Sequence, residues 1–126
     1  MRFLLDTNVL VFLLSAPGEL SPAARRVVET EPDVFVGRAS LWEIAIKQAR
    51  GKLSISLDIP GIEARCLERR IRFLPLSSSA IERVKTLPDI HRDPFDRLLV
   101  AQAIDASMTL VTRDRTIPLY PVPTLW

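Results

Sequence analysis

Three apolar residues at the head of the chain, Phe3-Leu4-Leu5, stop on an acid, Asp6. The run is too short and too near the terminus for an independent helix. Its unbroken hydrophobicity fits a strand covered on both faces. Strands of that kind belong to parallel sheets wrapped by helices, in which ligands bind outside the carboxyl ends of the strands. Asp6 therefore stands where a site is expected, and the question becomes which other residues join it.

Short apolar runs and helical stretches alternate along the rest of the chain. Val9 to Leu14 reads as a short buried helix closed by Pro17-Gly18. Ser21-Pro22 supplies an N-cap and a proline at the first helical position for a helix through Glu31, and Val34-Phe35-Val36 follows as a second strand. A third helix begins in Ala39-Ser40-Leu41-Trp42-Glu43, carries Leu41, Ile44 and Ala45 on one face, and meets Gly51 as a stop. Leu53, Ile55 and Leu57 alternate with polar residues, which predicts extended chain. Next come a helix from Pro60 to Arg70 and a third strand at Phe73-Leu74-Pro75-Leu76. A helix opened by a Ser79/Glu82 capping box then ends near Leu87-Pro88. Asp93 as a cap and Pro94 at the first position start a helix in which Phe95, Leu98, Leu99, Gln102, Ala103 and Ala106 recur at helical spacing. Thr109-Leu110-Val111-Thr112 makes a fourth strand with Arg113-Asp114 at its carboxyl end. The tail from Ile117 to Trp126, with three prolines, leaves room for one short edge strand. The pattern predicts an α/β fold, a parallel sheet with helices on both faces.

The 126 residues suit one domain, 1–126, and 48% hydrophobic with 25% charged residues is a globular balance. No apolar run is long enough to span a bilayer, and the first residues lack the features of a secretory signal, so a cytoplasmic protein is expected. One cysteine, Cys66, and one histidine, His91, exclude an internal disulfide and a zinc site built from several Cys or His. Cys66 reads as a buried helical thiol and His91 as a surface residue. Net charge is only +2, from 17 basic and 15 acidic residues, so any case for a nucleic-acid partner rests on where the charges lie.

Four acids occupy comparable places: Asp6 and Asp114 after strands, Glu43 and Asp96 in the first turns of helices. Each has an ordinary explanation. Ser40-Leu41-Trp42-Glu43 is a capping-box pattern, Asp96 suits a helix dipole, Asp114 suits a turn, and Asp6 could cap the helix behind it. Together the explanations fail. If the fold gathers all four at one end of the sheet, each pair at about 4 Å repels by roughly 4 kcal/mol at an effective dielectric near 20. A bound cation or raised carboxyl pKa values must then compensate. All-oxygen ligands favour a hard ion, Mg2+ or Mn2+ rather than Zn2+. Such an ion can activate water and neutralise a phosphate, so phosphodiester hydrolysis is the reaction that fits. Arg38, Lys47, Arg50, Lys52, Arg92, Arg97, Arg113 and Arg115 all lie within a few positions of the acids, the distribution a phosphate backbone requires.

Asp6-Thr7-Asn8, Ser40-Leu41-Trp42-Glu43, the stretch from Asp93-Pro94-Phe95-Asp96-Arg97-Leu98-Leu99 to Ala103, and Thr112-Arg113-Asp114 together resemble the PIN domain, and within it the VapC-type toxins of toxin–antitoxin pairs. The resemblance runs over nearly the whole chain. It implies a three-layer α/β/α fold around a parallel sheet of five strands and a Mg2+- or Mn2+-dependent endoribonuclease that inhibits growth. It also implies homodimers, larger assemblies such as heterotetramers, and neutralisation by a VapB-type antitoxin whose tail fills the active-site groove. Carried over by position, Asp6, Glu43, Asp96 and Asp114 become the metal-binding acids, supported by Thr112 and Asn8, with Asp93 a cap or supporting group. Arg38, Lys47, Arg92, Arg97, Arg113 and Arg115 become the RNA-binding rim.

Three other classes compete. A phosphoaspartate enzyme of the haloacid dehalogenase type needs a second acid two positions after Asp6, where Asn8 stands. A receiver domain needs its phosphorylated Asp after a mid-chain strand. A PIN-like module that holds RNA or antitoxin without cutting is the remaining alternative, and intact acids argue against it.

Overall fold

The computed structural model describes residues 1–126. Five strands, Phe3–Leu5 (β1), Val34–Gly37 (β2), Arg72–Leu74 (β3), Thr109–Val111 (β4) and Thr124–Leu125 (β5), make one sheet in the order β3-β2-β1-β4-β5. Every neighbouring pair is parallel. Six α-helices connect them: Thr7–Ser15 (α1), Pro22–Thr30 (α2), Arg38–Ala49 (α3), Ile59–Glu68 (α4), Ser78–Val84 (α5) and Pro94–Asp105 (α6). The fold is the expected helix–sheet–helix sandwich.

Its two cores follow from the alternation of side chains along a strand. Phe3, Leu5, Val34, Val36 and Val111 face one side and pack with Val9, Leu10, Ile44 and Ile62 of α1, α3 and α4. Leu4 and Leu110 face the other and pack with Leu99, Val100 and Ala103 of α6 and with Ile117 and Tyr120 behind β4. Leu4, Leu5 and Leu110 are wholly buried, so truncating any of them to alanine costs about 2–5 kcal/mol. Cys66 is buried in the first core as expected, and burial pushes its thiol up to about 11.

Space is tight where β2 runs directly into α3: a Cβ on Gly37 would stand 3.1 Å from Gln102 Oε1, so the end of that side chain would have to give by a few tenths of an ångström. Gly51, at φ +68, closes α3 in the left-handed region.

The structure corrects four local expectations. Ser77, not Ser79, caps α5, accepting from the Ala80 amide at 3.1 Å, while Ser79 Oγ donates to Asp105 Oδ2 at 2.6 Å. That helix ends at Val84 rather than near Leu87. The third strand ends at Leu74, before Pro75, which has no N–H for a ladder. The 53–57 segment joins no strand: Leu53, Ile55 and Leu57 are half-buried between exposed neighbours, and the Gln48 side-chain amide donates to the Ile55 and Leu57 carbonyls at 3.3 and 2.9 Å. Its alternation records packing against the first core, not a sixth strand.

Candidate functional site

The central strand fixes the site. From β1 the chain crosses first to β2 on one side and later reaches β4 on the other, so the crevice beyond β1 and β4 is a topological switch point. Leu5 and Val111 are register partners, and the Asp6 amide donates to the Val111 carbonyl at 2.9 Å. Asp6 and Thr112 thereby emerge side by side. Thr112 Oγ1 donates to Asp6 Oδ2 at 2.7 Å. Asp6 sits at the N-cap position of α1, yet its side chain makes no cap hydrogen bond. Burial holds its carboxyl above the ordinary aspartate range, opposed by the Thr112 hydroxyl and reinforced by Glu43 and Asp114.

Glu43 comes from α3 on the opposite flank. Gly37 is the N-cap of that helix and Ser40 lies inside it, so the Ser40/Glu43 pattern is not a capping box. Glu43 is buried instead against α1, where Thr7 Oγ1 donates to its Oε1 at 2.8 Å and lies 2.9 Å from Ser40 Oγ. Its Oε2 is 2.8 Å from Lys47 Nζ one turn later. Partial burial lowers the Lys47 pKa, but the bond to Glu43 and the charges of Glu43, Asp93 and Asp96 outweigh it and hold the ammonium above the ordinary lysine value.

Asp96 enters from the first turn of α6. Asp93 caps that helix, its Oδ1 accepting from the Phe95 amide at 2.8 Å. No donor of the chain reaches the Asp96 carboxylate. Burial, then Asp93, Asp6 and Glu43, push it up to about 7, with His91 pulling the other way.

Asp114 closes the set from beyond β4. Its Oδ1 accepts from the Thr116 amide and hydroxyl at 2.8 and 2.7 Å, and its Oδ2 lies 2.9 Å from His91 Nε2. Burial raises this carboxyl, but Thr116 and His91 outweigh burial and hold it below the usual range. Asn8 is exposed and shares a cavity of about 220 Å3 with Asp6, Phe12, Arg113 and Asp114.

His91 is not the surface residue expected. Its side chain is 13% exposed, its ring stacks on Tyr120 with centroids 5.4 Å apart, and its Nδ1 lies 3.0 Å from the Tyr120 hydroxyl. That hydroxyl also accepts from the His91 amide at 2.9 Å. Nε2 faces the Asp114 carboxylate, which can only accept, so Nε2 carries a proton. Nε2 therefore donates toward Asp114 and Thr116. A ring nitrogen of His91 and one oxygen each of Asp96 and Asp114 lie within 4.8 Å of one another. A histidine so close to Asp93-Pro94 in sequence was the available signal; its partner, 29 residues on, was not.

The basic residues divide. Arg92 and Arg115 are exposed, and Arg113 and Arg115 line a cavity of about 660 Å3 beside Asp114. Arg113 also reaches Glu19 at 3.4 Å. Lys47, Arg50 and Lys52 share a shallow cleft of about 180 Å3 with Glu43, Asp93 and Phe95. Arg38 turns onto α4, 2.6 Å from Glu63 and stacked over Phe73. Arg97 is committed to backbone, donating to the Pro88 and Val84 carbonyls at 2.8 and 3.1 Å. Trp42, 65% exposed, meets Phe95 edge-on at 5.3 Å beside that cleft, a feature the sequence reading had not assigned to the site.

The donor chemistry fits a hard cation. Neighbouring carboxylates add to burial in raising the pKa of Asp6 and Asp96, and Asp96 has no protein donor to offset its charge. Oxygen ligands without a Cys or multi-His set match Mg2+ or Mn2+.

This chain belongs to the PIN domain family, whose model matches residues 3–122. It is 28% identical to Ribonuclease VapC22 of Mycobacterium tuberculosis over 127 aligned positions, covering 98% of this chain and 97% of that one. Among solved structures, VapBC2 of Rickettsia felis bound to a DNA fragment from its promoter superposes with a TM-score of 0.72 at 14% identity, covering 99% and 98% of the two chains. A toxin–antitoxin complex from Klebsiella pneumoniae superposes with a TM-score of 0.64 at 17% identity, covering 99% and 97%. No helix is long and apolar enough to cross a membrane.

Proposed function

We propose that this chain is a VapC-type toxin, a cytoplasmic endoribonuclease that hydrolyses RNA phosphodiester bonds with Mg2+ or Mn2+ and is held in check by a VapB-type antitoxin. The observation that carries the reading is the convergence of Asp6, Glu43, Asp96 and Asp114 from distant parts of the chain, with the Asp96 carboxylate left without a protein donor. The relative named a ribonuclease supports RNA as substrate, and the toxin–antitoxin complex of the same fold supports the antitoxin partner.

The roles follow from the contacts. Asp6, Glu43, Asp96 and Asp114 form the acidic centre at which the ion binds. When bound, the ion neutralises charge on the scissile phosphate and lowers the pKa of a water. Thr112 fixes the Asp6 carboxylate, and Asn8 extends the polar wall beside it. Arg92, Arg113 and Arg115 on one side, with Lys47, Arg50 and Lys52 on the other, draw a phosphate backbone over an otherwise repelling pocket. The exposed Trp42 gives an unpaired base a surface on which to stack.

The test is a mixed RNA pool incubated with the purified chain and Mg2+, Mn2+ or a chelator. Fragments with either ion and none with chelator support the proposal. A pool bound but intact in all three makes the chain a PIN-like binding module instead.

A further inference from the structure

Glu43 differs from the other acids of the site in that a lysine of its own helix pairs with it. Oε1 accepts from the Thr7 hydroxyl at 2.8 Å and Oε2 pairs with Lys47 Nζ at 2.8 Å. The Thr7 hydroxyl is placed by Ser40, and Thr7, Ser40 and Glu43 are all buried. Asp96 presents the opposite picture, a carboxylate with no donor from the chain, converging with Asp114 and His91.

The Glu43–Lys47 pair is built into α3. A glutamate four residues before a lysine is the favourable order on a helix, so the contact needs no ion to form it. A divalent ion ligated by Glu43 would have to expel the ammonium or sit at contact distance from it. The Glu43 side chain is only 10% exposed, so water screens that end of the pair poorly, while the Lys47 side chain is 36% exposed and keeps one side open. We infer that the Lys47 ammonium takes the place of a second cation at the Glu43 end of the acidic centre, so that the chain binds one divalent ion, held by Asp6, Asp96 and Asp114. Glu43 is then a positioning residue for Lys47 rather than a metal ligand.

This arrangement also assigns Lys47 a task in the proposed cleavage, on which the inference rests. An ammonium has three donors, so one can stay on Glu43 while another meets a phosphate oxygen. The cleft it shares with Arg50 and Lys52 leads a backbone to it.

The experiment counts Mn2+ bound per chain, from the loss of the free aqua-ion signal in electron paramagnetic resonance, on the purified full chain. Wild type should take one ion. Lys47→Ala, and Lys47→Met with its apolar stem retained, should take two, because Glu43 is released to ligate. Adding Glu43→Gln to either should return the count to one. Two ions in wild type, a count of one in both single variants, or a second ion that survives Glu43→Gln overturns the inference while leaving the nuclease reading in place. No ion bound by any of these proteins overturns both, which distinguishes the two failures.

Discussion

His91 Nε2 lies 2.9 Å from Asp114 Oδ2 while the opposite edge of the same ring lies 3.0 Å from the Tyr120 hydroxyl. A buried phenol from the segment after β4 thus orients a histidine from the loop before α6, and the histidine orients an acid of the site. Groups that orient metal-binding residues typically contribute 10- to 100-fold.

Tyr120→Phe removes the hydroxyl that accepts from the His91 amide and hydrogen-bonds to Nδ1. RNA cleavage should fall by about 10-fold, and His91→Ala should cost about 10- to 100-fold, with far-UV circular dichroism unchanged. Equal turnover in both variants would separate the relay from the chemistry.

Asp6→Asn keeps the volume and a hydrogen-bond acceptor for Thr112 but removes a charge that Glu43 and Asp114 already oppose. Cleavage should be abolished while thermal stability holds or rises. Full activity in this variant would exclude Asp6 from the site.

Asp96 links stability to pH. Well below pH 3.8 its carboxyl is protonated in both the folded and the unfolded chain. As pH rises the unfolded chain ionises first, and the folded chain keeps its proton until about 7, so stability is lost across that window and the penalty is complete above it. Asp96→Asn should stabilise the metal-free chain at pH 8, by about 1–2 kcal/mol once solvent screening is allowed for, and lose that advantage as pH falls below 3.8. Mn2+ affinity of the wild type should rise as pH passes through 7. Thermal melts and calorimetry at several pH values check both.

Arg97 and Arg92 should behave oppositely. Arg97→Ala strips the donors from the carbonyls of Val84, Leu87 and Pro88 and should lower stability by about 1–3 kcal/mol through the α5–α6 connection. Arg92→Ala should leave the melt unchanged and reduce both RNA affinity and its salt dependence. Binding measured at two salt concentrations distinguishes them.

Gln102 is 2% exposed, and its Nε2 has no hydrogen-bond partner. An orphaned buried donor costs about 1–3 kcal/mol. Gln102→Met, similar in shape and without the amide, should therefore raise the melting temperature by several degrees.

The strands and the acids were legible in the sequence for local reasons. Phe3-Leu4-Leu5 and Val34-Phe35-Val36 can be nothing but covered strands, and an acid directly behind such a strand must lie at its carboxyl end. Errors arose where a local pattern had two physical outlets. The Ser40/Glu43 spacing matches a capping box, but with Gly37 already starting the helix both residues turned inward to Thr7. The alternation at 53–57 matches a strand, but with no free edge beside it the segment was held by Gln48.

By itself, then, the order of residues determined the alternating fold and the capped start of α6, because these depend on contacts within a few positions. Tertiary structure alone decided how each acid is met across the crevice: Asp6 by Thr112, Glu43 by Thr7, Asp114 by a histidine braced on Tyr120, Asp96 by no donor of the chain. The reason is the range of the forces. Burial and hydrogen-bond partnership are properties of what lies across the crevice, and 106 residues separate Asp6 from the hydroxyl that holds it.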